Sequence, residues 1–178
     1  MKTIALSIAI LLVLGLQAQV VPIIEHNDVP TIAPLKLNGP RVGFTYLNQS
    51  PVLKEGEFGL SEGSRINPML SMFGWQFEWK YFQTEDGSAG LIEFIPIIAG
   101  LEQGLALPSA NFLVGFRTYE GWEFGFGPNV GLTGNGFVIA GGYTFKSGYM
   151  NFPVNIAVIP GRDNTRLSVL VGWNKRSR

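Results

Sequence analysis

The chain has 178 residues, with 13 basic and 13 acidic side chains, one His and no Cys. The balance gives no electrostatic case for nucleic acid, the missing thiols exclude a disulfide framework, a thiolate metal site and a lipid-anchored cysteine, and one imidazole excludes any site needing two. Charged residues make up 15% of the chain, well below the roughly 25% of ordinary soluble domains.

The first element is an export signal. Lys2 is a minimal positive start, Ile4 to Leu16 is an apolar run of 13 residues, and Gln17-Ala18-Gln19 is a polar, small-residue exit. This predicts a cleaved secretory signal over 1–18; a membrane helix would need roughly 20 apolar residues. The 160 remaining residues suit one domain. They carry one net negative charge, because Lys2 leaves with the signal. Residues 19–39 hold Pro22, Pro30 and Pro34 without a clean period, and are expected as an irregular periplasmic tail. His26 and Asp28 fall in this tail and read as solvated side chains rather than metal ligands.

From Arg41 the hydrophobic period is two, which predicts strands. Eight are expected: Arg41–Leu47, Met72–Gln83, Ala89–Gly100, Ala110–Thr118, Trp122–Val130, Phe137–Phe145, Met150–Ile159 and Arg166–Asn174. Asp86-Gly87 signals a two-residue hairpin, Tyr119-Glu120-Gly121 a three-residue one, and Ser147-Gly148 a third. Gly161 to Asn164 is a further turn, and Asn48 to Ser71 is the one long connection. Pro96, Pro128 and Pro153 each remove a ladder donor and are expected at bulges or strand ends.

Eight antiparallel strands suggest an up-and-down barrel, and three patterns indicate which face points outward. The apolar face holds 18 of the 22 aromatic residues. An eight-stranded barrel is only wide enough inside for ordinary side chains, so those rings belong outside. The other face is built of Gly43, Gly74, Gly115, Gly125, Gly127, Gly142, Gly172 and short polar residues, which suit a narrow lumen. Trp79, Tyr81, Trp122, Tyr143 and Trp173 gather at one rim, as a membrane-interface girdle does. Six charges share the Gly-rich face at that end: Arg41, Glu78, Lys80, Glu93, Arg117 and Glu123. The turn lengths predict Lys80 opposite Glu93 and Arg117 opposite Glu123, with Arg41 beside Glu78, as a balanced structural ion cluster in a closed lumen.

These strands resemble the small eight-stranded outer-membrane barrels of Gram-negative bacteria, the OmpA-transmembrane-domain and OmpX type. The resemblance covers Arg41 to Trp173 and rests on pattern. Leu167 to Trp173 is similar to the aromatic-ended strand that the barrel-assembly machinery recognises; here Asn174 to Arg178 follow the aromatic, and 175–178 form a basic tail. The resemblance implies an all-β, transmembrane up-and-down barrel over 40–174, in the outer membrane, with outer-membrane lipid and the assembly machinery as partners.

The chemistry available is sparse. Lipid-modifying barrels depend on a His beside a Ser or carboxylate, and His26 precedes the first strand. No catalytic residue, cofactor or metal is expected, nor a pore, since charged side chains cross the lumen. The expected role is structural or one of surface interaction. It would act through the Asn48–Ser71 loop, with Lys54, Glu57, Phe58 and Arg65 as candidate contacts for an unidentified ligand. The alternative is a secreted, soluble, lipocalin-like barrel carrying an apolar ligand.

Overall fold

The computed structural model describes residues 37–48, 67–132, 134–161 and 165–175. The signal segment, most of the tail with His26 and Asp28, and the loop residues Lys54, Glu57, Phe58 and Arg65 lie outside the described residues. So does 162–164 of the predicted Gly161–Asn164 turn.

Alternating sequence becomes eight long strands: β1 Gly39–Leu47, β2 Met69–Gln83, β3 Ala89–Ala99, β4 Leu107–Arg117, β5 Trp122–Gly131, β6 Gly136–Ser147, β7 Met150–Ile159 and β8 Arg166–Gly172. Every strand pairs antiparallel with its sequence neighbours, and β1 pairs with β8, so the sheet closes as an up-and-down barrel. A two-residue strand β9, Asn174–Lys175, resumes the β8 line after Trp173 and pairs with Met150 and Asn151 of β7. The basic tail expected from 175 thus begins inside the sheet, and β1 begins at Gly39 within the expected tail. Met69 to Ser71, expected as loop, are the first residues of β2.

Register sets the shape. From Tyr46 the paired residues run through Leu167, Val158, Ile139, Phe126, Val114, Ile92 and Trp79. Trp79 lies three residues past Gln76, the partner of Gly39, so the circuit returns to position 36 of the first strand line, a shear of ten residues. Eight strands with that shear tilt by about 40° and enclose a barrel of roughly 8 Å radius. The ten residues of β7 then give a wall about 25 Å tall.

The three prolines lie within strands rather than at their ends. Pro96, Pro128 and Pro153 are paired on one side with Ala110, Phe137 and Thr144. On the other side each faces a gap: the β2–β3 ladder opens between Gly74–Ile97 and Phe77–Phe94, and β4–β5 between Asn111–Asn129 and Val114–Phe126. The third gap separates the Val154–Val171 and Asn151–Asn174 pairs. A missing N–H costs little where the ladder is already open.

The β2–β3 turn departs from expectation. It is a three-residue loop closed by Thr84 N–H to Ser88 O at 2.9 Å, with Gly87 in the left-handed region at φ 91°. The Thr84 hydroxyl and the Ser88 amide donate to Asp86 and hold its carboxyl below the usual carboxylate range. The same geometry closes β4–β5, where Thr118 N–H donates to Trp122 O at 2.9 Å and Gly121 has φ 111°. An extra residue, Tyr81, then bulges from β2 between the Lys80–Leu91 and Phe82–Gly90 pairs. The longer loop and the bulge together move Glu93 opposite Glu78 and Lys80 opposite Leu91, so the Lys80–Glu93 pairing is not formed.

Alternation sorts the faces. None of the described aromatic side chains is buried, and the outward positions of β1–β8 carry no charged side chain. Phe124 and Phe126, at 61% and 57% exposed, typify this surface. The lumen is not polar throughout. Toward the end carrying the β1–β2 and β3–β4 connections it is filled mainly by Leu47, Leu70, Met72, Ile97, Leu105, Leu107 and Ile159. Toward the end with the short hairpins it is filled by buried polar and charged residues.

Candidate functional site

The hairpin half of the lumen is organised around Arg117. The three-residue β4–β5 loop places Arg117 directly across from Glu123, and Nε donates to Glu123 Oε1 at 2.8 Å. The fork of the guanidinium reaches past β3 to Glu78 on β2, with Nη1–Oε1 at 2.9 Å and Nη2–Oε2 at 2.5 Å. Glu93 is more remote, 4.0 Å from Nη2. Thr144 donates to Glu123 Oε1 at 2.8 Å. All five of these side chains are buried. A bidentate carboxylate and a second carboxylate on one fixed cation suit a dry site, because each charge keeps a directed partner.

Arg41 is held differently from the expected Glu78 contact. Its β1 position lies across from Gly74 on one side and Gly172 on the other. Nε donates to Gln76 Oε1 at 3.0 Å, and the Gln76 amide passes the link on to Glu93 Oε1 at 2.8 Å. Nη2 donates to Leu37 O at 2.8 Å and Nη1 to Asn174 Oδ1 at 3.3 Å. The Asn174 amide donates to Asn38 O, and Asn38 Oδ1 accepts from the Glu78 N–H at 2.8 Å. Leu37 and Asn38, from the expected tail, therefore close the floor of the barrel, with Leu37 fully buried. Lys80 is half-buried and stands nearer the hairpin rim. The buried cluster thus comprises two guanidinium groups and three carboxylates, bridged by an amide, rather than three cations against three anions. Gln76 had a signal in sequence, since it lies two residues before Glu78 on the same face. That its amide would bridge Arg41 to Glu93 depends on the β1–β2 register.

Gly172 gives Arg41 its room. A Cβ at Gly172 would overlap the Arg41 guanidinium. We expect Gly172→Ala to lower the stability of the barrel by roughly 1–3 kcal/mol, the usual cost of overpacking. Urea titration monitored by tryptophan fluorescence measures it, and an unchanged midpoint would show that Arg41 moves aside freely.

The predicted girdle residues lie together at the hairpin end. Trp122 pairs with Tyr143, their rings 4.9 Å apart and edge to face. Tyr81 sits on the bulge beside Phe82 at 5.1 Å, and both rings cover Gly90. Trp79, Tyr81, Trp122 and Trp173 are exposed, and Tyr143 is partly so. Tyr119 and Tyr149 join them in the hairpin turns. Trp75 and Tyr46 lie elsewhere on the wall, Trp75 across from Pro40 and Tyr46 near the opposite rim. No group of His, Asp or Glu suited to a metal occurs among the described residues.

Comparison with family models, with curated proteins and with solved structures finds no match to this chain.

Proposed function

We propose that this protein is an integral outer-membrane β-barrel with a structural or surface-interaction role and no catalytic step of its own. The observation that carries the reading is the outward surface: apolar around the whole circumference, free of charge on β1–β8, and about as tall as the roughly 25 Å apolar band of outer-membrane barrels. Water would penalise so large an exposed apolar surface, whereas lipid solvates it. Amphipathic rings concentrated at the hairpin rim fit the interface between acyl chains and headgroups. In this reading the short hairpins face the periplasm and the longer connections face outward, where the 48–68 connection is the candidate contact surface.

The lumen suits a scaffold better than a carrier. Two cavities lined by described lumen residues measure about 30 and 50 Å³, against roughly 300–1,000 Å³ for pockets that enclose drug-sized ligands. With Arg41, Arg117 and Leu37 closing the floor, the protein should give no steady conductance in planar bilayers. The deciding experiment is fractionation of expressing cells. The protein should stay with the membrane pellet through carbonate washing, require detergent for release, and migrate differently on gels before and after heating. Recovery in the aqueous periplasmic fraction would overturn the proposal.

A further inference from the structure

Arg166 is a charged lumen residue at the end opposite the ion cluster. It lies at the rim of the apolar half, across from Leu47 on one side and Ile159 on the other. Its Nη2 donates to Asn129 Oδ1 at 2.8 Å and, at a longer 3.4 Å, to Gly134 O. Both acceptors are neutral. Among the described residues no carboxylate forms an ion pair with Arg166, and both of these bonds run from Nη2. Arg117, by contrast, holds two carboxylates at close range, Glu78 and Glu123.

Arg166 also lines a cavity of about 50 Å³, with Leu47, Leu70, Met72, Ile97, Ile159 and Leu170 in its wall. A half-buried cation whose partners among the described residues are two neutral oxygens is only partly compensated, because neutral acceptors replace the lost hydration without balancing the charge. An anion at that point restores the balance through charge-assisted hydrogen bonds. A purely inorganic anion would leave the apolar wall unused.

We propose that the loop-end chamber is a binding site for a short-chain alkyl carboxylate, its headgroup on Arg166 and its tail among the six apolar residues. Room for about four waters corresponds to a tail of about three to five carbons. The site lies in the lumen, so the proposal stands independently of where the barrel resides.

The test uses the purified protein, in buffer if it is recovered in the aqueous fraction and in lipid nanodiscs if it needs detergent for release, since detergent tails could compete, and titrates acetate, propionate, butyrate and hexanoate by calorimetry. Affinity should rise about fourfold per methylene up to butyrate, the yield of burying one CH₂, and stop rising by hexanoate as the chamber fills. Butyramide, which keeps the shape and loses the charge, should bind at least tenfold more weakly to the wild-type protein. Arg166→Gln should reduce butyrate affinity at least tenfold. Ala157→Leu, which narrows the chamber from a position on its wall, should remove the chain-length dependence and leave acetate unchanged. The butyramide comparison needs no variant, so a folding defect in either one leaves the proposal open to refutation. Equal binding of acetate and butyrate, equal binding of butyramide and butyrate, or no saturable butyrate binding would each overturn it.

Discussion

Arg117→Met is expected to destabilise the barrel by about 3–5 kcal/mol, the usual cost of removing one partner from a buried ionic group. The reason is local. Arg117 supplies both contacts to Glu78 and the 2.8 Å bond to Glu123, and removing it strands two buried carboxylates. Adding Glu78→Gln and Glu123→Gln to the variant should recover much of the loss, because neutral amides are cheaper to bury. Glu93→Gln should cost under about 1 kcal/mol, since its close partner is the Gln76 amide and a glutamine carbonyl accepts that bond equally well. Urea unfolding of the purified protein, followed by tryptophan fluorescence, measures all three. An unchanged midpoint for Arg117→Met would mean that water reaches the cluster and screens it.

Phe126→Arg separates a lipid-facing wall from a water-facing one. Phe126 lies on the outer surface near mid-height, across from Val114 and Ile139. In a bilayer an arginine there should cost roughly 2–4 kcal/mol, as at other barrel midplanes, while Trp122→Arg at the hairpin rim should cost no more than about 1 kcal/mol of charge burial. Folding into lipid vesicles at graded urea concentrations gives both values. Equal, negligible effects at the two positions would count against the membrane reading, since a water-exposed arginine is indifferent to height along the wall.

The arginine relay was only partly legible in sequence. Arg117 and Glu123 flank a three-residue loop ending in Gly121, and loop length alone sets that pair opposite each other. Asp86-Gly87 reads as a two-residue turn, which would set Glu93 opposite Lys80. The chain instead uses Glu85-Asp86-Gly87, and Tyr81 adds a bulge that no periodicity announces. One residue of loop and one of bulge sufficed to change the partner, because pairing registers are whole-number shifts.

The alternation from Arg41 onward, with the turn residues between its segments, by itself determined the eight long strands and, outside the doubly apolar Ala89–Gly100 segment, the face each side chain takes, because side chains on a strand alternate with a period of two and one face must leave water. It also put the rings outside, through the volume of an eight-stranded interior. Only the tertiary structure decided how the lumen is filled: an ion cluster at the hairpin end, an apolar chamber that Arg166 also lines at the other, and a floor closed by Leu37 and Asn38. Those arrangements depend on contacts between strands far apart in sequence, such as Arg117 with Glu78 and Arg166 with Asn129. Their heights are set jointly by every loop length and by the ten-residue shear, and local pattern carries no record of that sum.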